Sequence, residues 1–197
     1  MTFLSLFLCV FLGQAPASPV VVIFETELGA ITMEIDVAKA PVTAANFLKY
    51  VDGKFYDGGV INRSVRPDNT IRKDVEIQVI QFQSDPARNR ERFPAIPLER
   101  TNVTGLRHVD GALSMARSGP DSATSGWFIC INDQPSLDFG GARNPDGQGF
   151  AAFGRVVSGM DVVRKIQQAP SSSDRKTNTE AQKLTPPIAV TKVTRLP

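Results

Sequence analysis

Few side chains in this sequence belong to the types that perform covalent or metal chemistry. Among its 197 residues there are one histidine, His108, and two cysteines, Cys9 and Cys130. Cys9 falls in an N-terminal apolar run that we expect to be removed, which leaves Cys130 as a single thiol inside another apolar run. One cysteine can form neither an intramolecular disulfide nor a cysteine metal cluster, so Cys130 is expected to be buried and inert. The cysteines therefore indicate neither a disulfide nor a cysteine metal site.

Arg63 is the other residue whose type and position could support chemistry. It lies in the stretch Val60–Val65, which we interpret as a strand. An arginine in a desolvated pocket donates strong, charge-assisted hydrogen bonds to a group that gains electron density. The ordinary alternative for a lone arginine is an ion pair at the surface. The choice between the two depends on the elements around it.

The stretch from Gly111 to Ile131 is the most informative of those elements. Two apolar runs, one ending at Ala116 and one covering Trp127–Ile131, enclose ten small, polar or turn-forming residues. This pattern predicts two short buried strands joined by a structured loop. Side chains alternate along a strand, so Trp127 and Phe128 should face opposite sides.

This stretch resembles the cyclophilins, a family of peptidyl-prolyl isomerases whose core reads LSMA…GP…S-x-F-F-I. The matching residues here are Leu113–Ala116, then Gly119-Pro120, then Ser125–Ile129. A second match is the segment from Ala40 to Gly58, AP-V-T-x-x-NF-x-x-Y followed by FYDG, which is similar to a cyclophilin's first helix and the loop after it. The resemblance covers the chain from residue 18 onward.

The resemblance implies that the protein accelerates rotation about X-Pro peptide bonds. Since this reaction makes and breaks no bond, we expect no metal and no cofactor. The resemblance also implies a set of site residues. Arg63 matches the family's catalytic arginine, which donates to the proline nitrogen as the amide twists. The residues that match the peptide-binding site are Val79, Gln81, Ala116, Arg117, Phe128, Leu137 and Phe150. Phe128 is expected to form the floor of the proline socket, and Ala116 and Arg117 the peptide groove.

Several positions depart from the family pattern. The family's Phe-Met-x-Gln-Gly-Gly is replaced by a stretch without glycines, so Gln83 is an alternative to Gln81. Gln78 and Ser136 stand where many relatives have aromatic residues, and the tryptophan that tight binders of the macrocycle cyclosporin carry is Ser136 here. These departures favour an alternative function, a binding or chaperone module of the same fold without turnover. The retained Arg63 favours the enzyme.

Two further features have structural interpretations. His108 invites interpretation as a general base, but it matches a family histidine packed behind the active site. The loop 140–149 is rich in glycine, yet it lacks the alternating acidic ligands of a calcium loop and the lysine of a phosphate loop. We interpret it as a turn-rich rim of the pocket. The segments 66–74 and 171–183 are polar; we expect the first to be a surface loop and the second to be flexible.

Hydrophobic periodicity gives the element order. Val20–Phe24 and Ile31–Ile35 predict a hairpin, and the residues from Val75 to Gln83 predict a later strand. Further predicted strands are Phe150–Val157 and Ile188–Val193, with a short edge strand at Ile96–Glu99. Two helices are also predicted. The first begins at Pro41 and ends at Gly53, and its buried face consists of Val42, Ala45, Leu48 and Val51. The second spans Gly159–Ile166. The resulting fold class is mainly β, a closed antiparallel eight-stranded barrel capped by two α-helices.

The charge and composition of the chain limit the classes of partner that it is expected to bind. The formal net charge of +2 is too close to balance to indicate nucleic acid or an anionic membrane surface. The hydrophobic fraction of 42% predicts one domain with a substantial core. By resemblance the partners are proline-containing polypeptides, and we expect a monomer without stable membrane association.

The N-terminus has the features of a signal peptide. Phe3–Leu12 is apolar except for Ser5, and Ala15-x-Ala17 offers a small-residue cleavage site. This run is too short to span a bilayer as a helix, and no lysine or arginine precedes it. A buried strand or an uncleaved anchor is the alternative. We predict residues 1–17 as the signal and 18–197 as the mature domain, in the periplasm or secreted.

Overall fold

The computed structural model of the protein describes residues 20–197. The predicted signal, residues 1–17, and the predicted mature start at Ser18 lie outside the described residues. Within the described range, no helix combines the length and the apolar character needed to cross a bilayer.

Eight antiparallel strands close into a barrel, which confirms the predicted fold class. They are β1 (Val20–Thr26), β2 (Gly29–Ile35), β3 (Val60–Val65), β4 (Val79–Gln83), β5 (Ala112–Met115), β6 (Trp127–Cys130), β7 (Ala152–Ser158) and β8 (Lys183–Arg195). The order around the barrel is β1-β2-β7-β5-β6-β4-β3-β8. Closure leaves no unpaired sheet edge.

Alternation along the strands separates two apolar clusters. The larger one fills the barrel with side chains from all eight strands, including Phe24, Phe82 and Trp127. Phe82 and Trp127 stack there with ring centroids 4.0 Å apart. The smaller cluster includes Val79, Phe128 and Leu137 and lies on the opposite face of β4 and β6. The prediction that Trp127 and Phe128 face opposite sides is confirmed, and the smaller cluster is where the predicted pocket residues meet.

Both predicted helices form. Helix α1 spans Pro41–Asp52, with the proline in its first turn, and α3 spans Met160–Gln167. The predicted inner face of α1 is partly wrong, because Val42 and Ala45 are exposed while Phe47 and Tyr50 are buried. The large rings bury more apolar area than the smaller side chains do, so they set the orientation of the helix.

Two more helices of four residues each occur among the described residues, α2 (Thr101–Thr104) and α4 (Asn178–Ala181). The flexibility predicted for the segment 171–183 stays a prediction, but the segment does contain α4. Thr177 caps α4 by accepting a hydrogen bond from the Glu180 N–H, and Gln182 after it is completely buried. Some polar side chains of this segment therefore form internal hydrogen bonds, while others, such as Lys176 and Glu180, are exposed.

The structure differs from the sequence predictions in three other segments. The segment 75–78 is not part of β4, which begins at Val79; the Val75 carbonyl accepts a hydrogen bond from the Arg143 side chain instead of a strand partner. The predicted edge strand at Ile96–Glu99 is reduced to one bridge, between Ile96 and Ala123. The loop 66–74 is not wholly at the surface, since Asn69 and Thr70 within it are buried.

Candidate active site

A pocket of about 230 Å³ opens on the outer face of the barrel where β3, β4 and β6 lie side by side. It contains all eight residues predicted for the site, Arg63, Val79, Gln81, Ala116, Arg117, Phe128, Leu137 and Phe150. Three residues that were not predicted complete its lining: Ile77, Arg143 and Asn144. The structure thus brings the predicted residues together in one cavity.

Strand register places the polar residues beside the aromatic floor. Arg63 of β3 pairs with Gln81 of β4, and Gln81 pairs with Phe128 of β6. Val79, two residues before Gln81, faces the same side. Gln83 instead is exposed and lies in the neighbouring groove. The structure therefore selects Gln81, the first of the two alternatives, as the glutamine of this pocket.

The guanidinium of Arg63 is held by two glutamine side chains. It donates from Nη1 to Gln81 Oε1 at 3.1 Å, and from Nε and Nη2 to Gln182 Oε1 at 3.0 and 2.6 Å. Burial, followed by the positive charge of Arg143, lowers the pKa of Arg63 to about 10. This value still leaves the side chain charged at neutral pH. Amide oxygens orient the guanidinium without neutralising it, so its charge remains available to a bound molecule.

Gln182 is a site residue that the sequence did not indicate. It is completely buried and donates through Nε2 to Thr70 Oγ1 at 3.1 Å. Asn178 accepts from Thr70 Oγ1 at 3.3 Å and from the Ile71 N–H at 2.6 Å. This chain of hydrogen bonds links Arg63 to two segments more than a hundred residues apart. A sequence separation of that size gives no local pattern, which is why the contact was not predicted.

Phe128 forms the apolar floor of the pocket. Its ring is only 5% exposed and meets Phe150 edge to face, with centroids 5.5 Å apart. Leu137 is fully buried beside them. Three apolar side chains around a small cavity suit a compact ring that carries no hydrogen-bond donor.

His108 lies behind this floor. Its ring is parallel to Phe128 at 6.3 Å and the residue is 1% exposed. Nδ1 is 2.8 Å from Asp138 Oδ1 and Nε2 is 2.9 Å from Ser114 Oγ. Although burial raises the pKa of Asp138, its hydrogen bonds with His108 outweigh this, and the pKa lies below its ordinary value. The predicted packing role of His108 is confirmed, and its ring cannot reach a molecule in the pocket.

The loop 140–149 forms one rim of the pocket, as predicted. Arg117 spans the entrance, donating to both carboxylate oxygens of Asp146 at 2.8 and 2.9 Å and to the Gly149 carbonyl at 2.7 Å. Hydrogen bonds from Arg117 hold the pKa of Asp146 at about 2. Gly149 has φ +66°, and a Cβ there would collide with the backbone of Asp138. The charge that Arg117 adds to the family pattern is thus compensated and fixes the loop.

A second groove continues from the pocket. Gln81, Ala116 and Arg117 line both, and the groove extends past Ser118 and Ser122. An extended peptide could therefore occupy the pocket with one residue and the groove with its neighbours. Arg143 and Asn144 lie on the part of the pocket wall that the groove does not share.

Comparison with known proteins agrees with this geometry. Residues 21–194 match the family model described as cyclophilin type peptidyl-prolyl cis-trans isomerase/CLD. A peptidyl-prolyl cis-trans isomerase of Acinetobacter baylyi is 38% identical over 150 residues, 76% of this chain and 72% of the relative. Peptidyl-prolyl cis-trans isomerase A of Dickeya dadantii is 37% identical over 153 residues, 77% of this chain and 73% of the relative.

Solved structures show the same fold. A cyclophilin type peptidyl-prolyl cis-trans isomerase of Cryptosporidium parvum superposes with a TM-score of 0.69 at 18% identity, covering 91% of this chain and 98% of its own. A second structure of that protein was solved in the presence of the dipeptide Ala-Pro. The chain belongs to the cyclophilin-type peptidyl-prolyl cis-trans isomerases, and the enzyme class predicted from its sequence is confirmed.

Proposed function

We propose that Arg63 is the catalytic residue of this isomerase and that Phe128, Leu137, Val79 and Phe150 hold the proline ring of the substrate. The observation that carries the proposal is the position of Arg63, a charged donor held beside an apolar socket by two neutral amides. A substrate proline in the socket would bring its peptide nitrogen close to this guanidinium.

The proposed mechanism needs no bond to break. The X-Pro bond resists rotation by about 18–20 kcal/mol because the nitrogen lone pair is shared with the carbonyl. As the amide twists, the lone pair returns to the nitrogen and can accept a hydrogen bond from Arg63. A donor that binds the twisted amide better than the planar one lowers the barrier. Partial desolvation of the pocket strengthens this interaction relative to water.

Gln81, Ala116 and Arg117 bind the peptide on either side of the proline in this proposal. Gln81 contacts Arg63 and borders both the pocket and the second groove, so it can orient the guanidinium and the peptide together. The backbone of Ala116 and Arg117 lies along the same border. The peptide is thereby held in an extended form across the two cavities.

The substrates that this open site fits best are proline-containing segments of unfolded or folding proteins. We propose that the protein is a bacterial, exported enzyme that acts as a monomer in the periplasm or outside the cell, without stable membrane association and without nucleic acid. The apolar run Phe3–Leu12 and the bacterial relatives support this proposal.

Exchange NMR on a blocked X-Pro peptide tests the proposed turnover. Catalytic amounts of protein should broaden or exchange the cis and trans signals, whose uncatalysed interconversion takes tens to hundreds of seconds. Chemical-shift changes that require stoichiometric protein, without faster exchange, would instead identify a binding module.

A further inference from the structure

Two guanidiniums face the same pocket without a carboxylate partner among residues 20–197. Arg63 bonds to the amide oxygens of Gln81 and Gln182. Arg143 makes one side-chain hydrogen bond, from Nη1 to the Val75 carbonyl at 3.2 Å. A guanidinium carries five N–H donors, so most of the donors of Arg143 are not used by the protein.

The carboxylates closest to this pocket are engaged elsewhere. Asp74 pairs with Arg72 at 2.8 Å, and Asp146 pairs with Arg117 at 2.8 Å. Neither can turn toward Arg143 without losing a two-point ion pair. No carboxylate among the described residues therefore forms an ion pair with Arg63 or Arg143, although the charge of Asp74 acts on Arg143 from a longer distance.

The two positive charges act on each other. Burial is the larger cause of the lowered pKa of Arg63, and the charge of Arg143 is the next. Burial also lowers the pKa of Arg143, with the charge of Arg72 adding to it and that of Asp74 opposing it. An anion bound between the guanidiniums would relieve this repulsion.

Arg143 is a fixed feature rather than a loose surface side chain. Its N–H donates to the Ser136 carbonyl at 3.1 Å, and its own carbonyl accepts from Arg72 Nη1 at 3.0 Å. A Cβ at the nearby Gly141 would overlap the Ser136 carbonyl, so the loop is closely packed at this point. The backbone that carries Arg143 is thus set before any ligand binds, and the hydrogen bond to Val75 holds its side chain on the pocket wall, which reduces the entropic cost of binding.

Arg143 also lies on one defined side of the peptide path. The second groove shares Gln81, Ala116 and Arg117 with the pocket but not Arg143. A peptide that fills the groove on one side of its proline would pass Arg143 on the other side. Asn144, next to Arg143 on the same wall, adds an amide that can bond to a carboxylate oxygen.

We propose that the site selects proline segments in which an acidic side chain directly flanks the proline, with its carboxylate bound by Arg143. This inference rests on the proposed function of the pocket and specifies its substrate class. Arg63 remains directed at the peptide nitrogen, and Arg143 binds the side chain of the residue next to the proline. Acidic substrates should bind better and should also be turned over with a higher kcat/KM.

The test uses four peptides with blocked ends, so that only a side-chain carboxylate is varied. Two carry Glu or Gln after the proline and two carry Glu or Gln before it. For the wild-type protein, one Glu peptide should exceed its Gln twin by about three- to ten-fold in kcat/KM, as expected for a partly desolvated ion pair. The preference should weaken when the ionic strength is raised.

Variants assign the preference to one residue. In Arg143→Gln the Glu and Gln twins should agree within about two-fold, whereas Arg143→Lys should keep part of the difference because it keeps the charge. The matched control is Arg155→Gln, which removes the same charge at an exposed ion pair with Glu34, outside the pocket. This control should retain the full preference, and melting temperatures check that each variant is folded.

The outcomes separate the two proposals. Faster exchange of the Gln peptides with wild-type protein supports the proposed function, whatever the acidic preference. If the wild-type protein accelerates the exchange of none of the peptides, the proposed function fails. The Kd values of the same peptide pairs are then compared to test the acidic preference. Equal kcat/KM and equal Kd for Glu and Gln twins would overturn the acidic preference, and so would a preference that persists in Arg143→Gln.

Discussion

At the scale of single residues, the main feature of the site is an arginine oriented by amides. A carboxylate partner would have held Arg63 as firmly, but it would also have neutralised the charge that the proposed mechanism uses. Gln81 and Gln182 accept three hydrogen bonds from the guanidinium and leave its charge intact. We therefore propose that Gln182 is a positioning residue, which acts on the substrate only through Arg63.

Replacing Gln182 tests this positioning role. Gln182→Leu introduces an apolar side chain of similar size and removes two of the three hydrogen bonds that orient Arg63. We expect kcat to fall about five- to ten-fold, roughly 1–1.4 kcal/mol, with KM nearly unchanged, since the socket for the proline ring is intact. Thr70→Val removes the other partner of Gln182 and serves as the control for a purely structural effect. Equal kcat losses in both variants, or a loss confined to KM, would contradict the positioning role.

The ionisable groups of the site predict a flat pH profile. Arg63 has a pKa of about 10 and Asp146 one of about 2, so both keep their charges between these limits. His108 is shut behind Phe128 and does not touch the substrate. We expect kcat/KM to vary by less than about two-fold between pH 5 and 8.5, measured by exchange NMR. A sigmoidal change centred near pH 6.5 would indicate a histidine in the reaction.

At the scale of elements, alternation along β4 and β6 builds the site. One face of these strands supplies Phe82 and Trp127 to the barrel interior, and the other supplies Gln81 and Phe128 to the pocket. The loop from Gln134 to Gly149 then covers the open side of the pocket. Its first turn, Pro135–Leu137, buries Leu137 and leaves Ser136 half-buried.

Ser136 leads to a prediction about cyclosporin. The relatives that bind this macrocycle tightly carry a tryptophan at the matching position, and a serine cannot replace its ring or its N–H donor. The Ser136 side chain does not line the pocket. Losing one hydrogen bond and the ring contact should cost about 2–4 kcal/mol, or ~30- to 1,000-fold in affinity. Titration of the drug in the exchange assay should give weak inhibition, and Ser136→Trp should strengthen it. Nanomolar inhibition of the wild-type protein would show the expectation to be wrong.

Sequence periodicity located most of the strands, because a two-residue repeat is local information. It extended β4 too far toward the N-terminus and predicted an edge strand at Ile96–Glu99 where only one bridge forms. The eight pocket residues came from the family resemblance, since each lies in or next to a matched motif. Four residues were missed because no matched motif contains them: Ile77, Arg143, Asn144 and Gln182. The inner face of α1 was misjudged because spacing alone does not show that Phe47 and Tyr50 outweigh Val42 and Ala45.

At the scale of the whole molecule, the residues that form the core of the barrel are distinct from those that line the pocket. The large apolar cluster is inside, while the pocket lies on the outer face and is bordered by loops. Strand β1 begins at Val20 and pairs with both β2 and β8, which completes the closure.

This arrangement is compatible with the proposed export of the protein. Cleavage after Ala17 would remove no residue of a described strand. A chain that begins at Ser18 should therefore have the same melting temperature whether it was made by cleavage of the full chain or expressed without residues 1–17. Mass spectrometry of the periplasmic or secreted fraction should find a chain that begins near Ser18. A chain that retains Met1 and stays in the cytoplasm would refute the export proposal.

The most direct test of the central claim is the exchange rate catalysed by Arg63→Ala. Arg63 forms no ion pair among the described residues, but its removal leaves Oε1 of the buried Gln182 without the guanidinium donors, so the melting temperature must first show that the variant is folded. The account predicts that kcat/KM, measured by exchange NMR on a blocked X-Pro peptide, falls at least ten-fold, equivalent to about 1.4 kcal/mol or more of transition-state stabilisation. A folded Arg63→Ala protein that exchanges the peptide at the wild-type rate would contradict it.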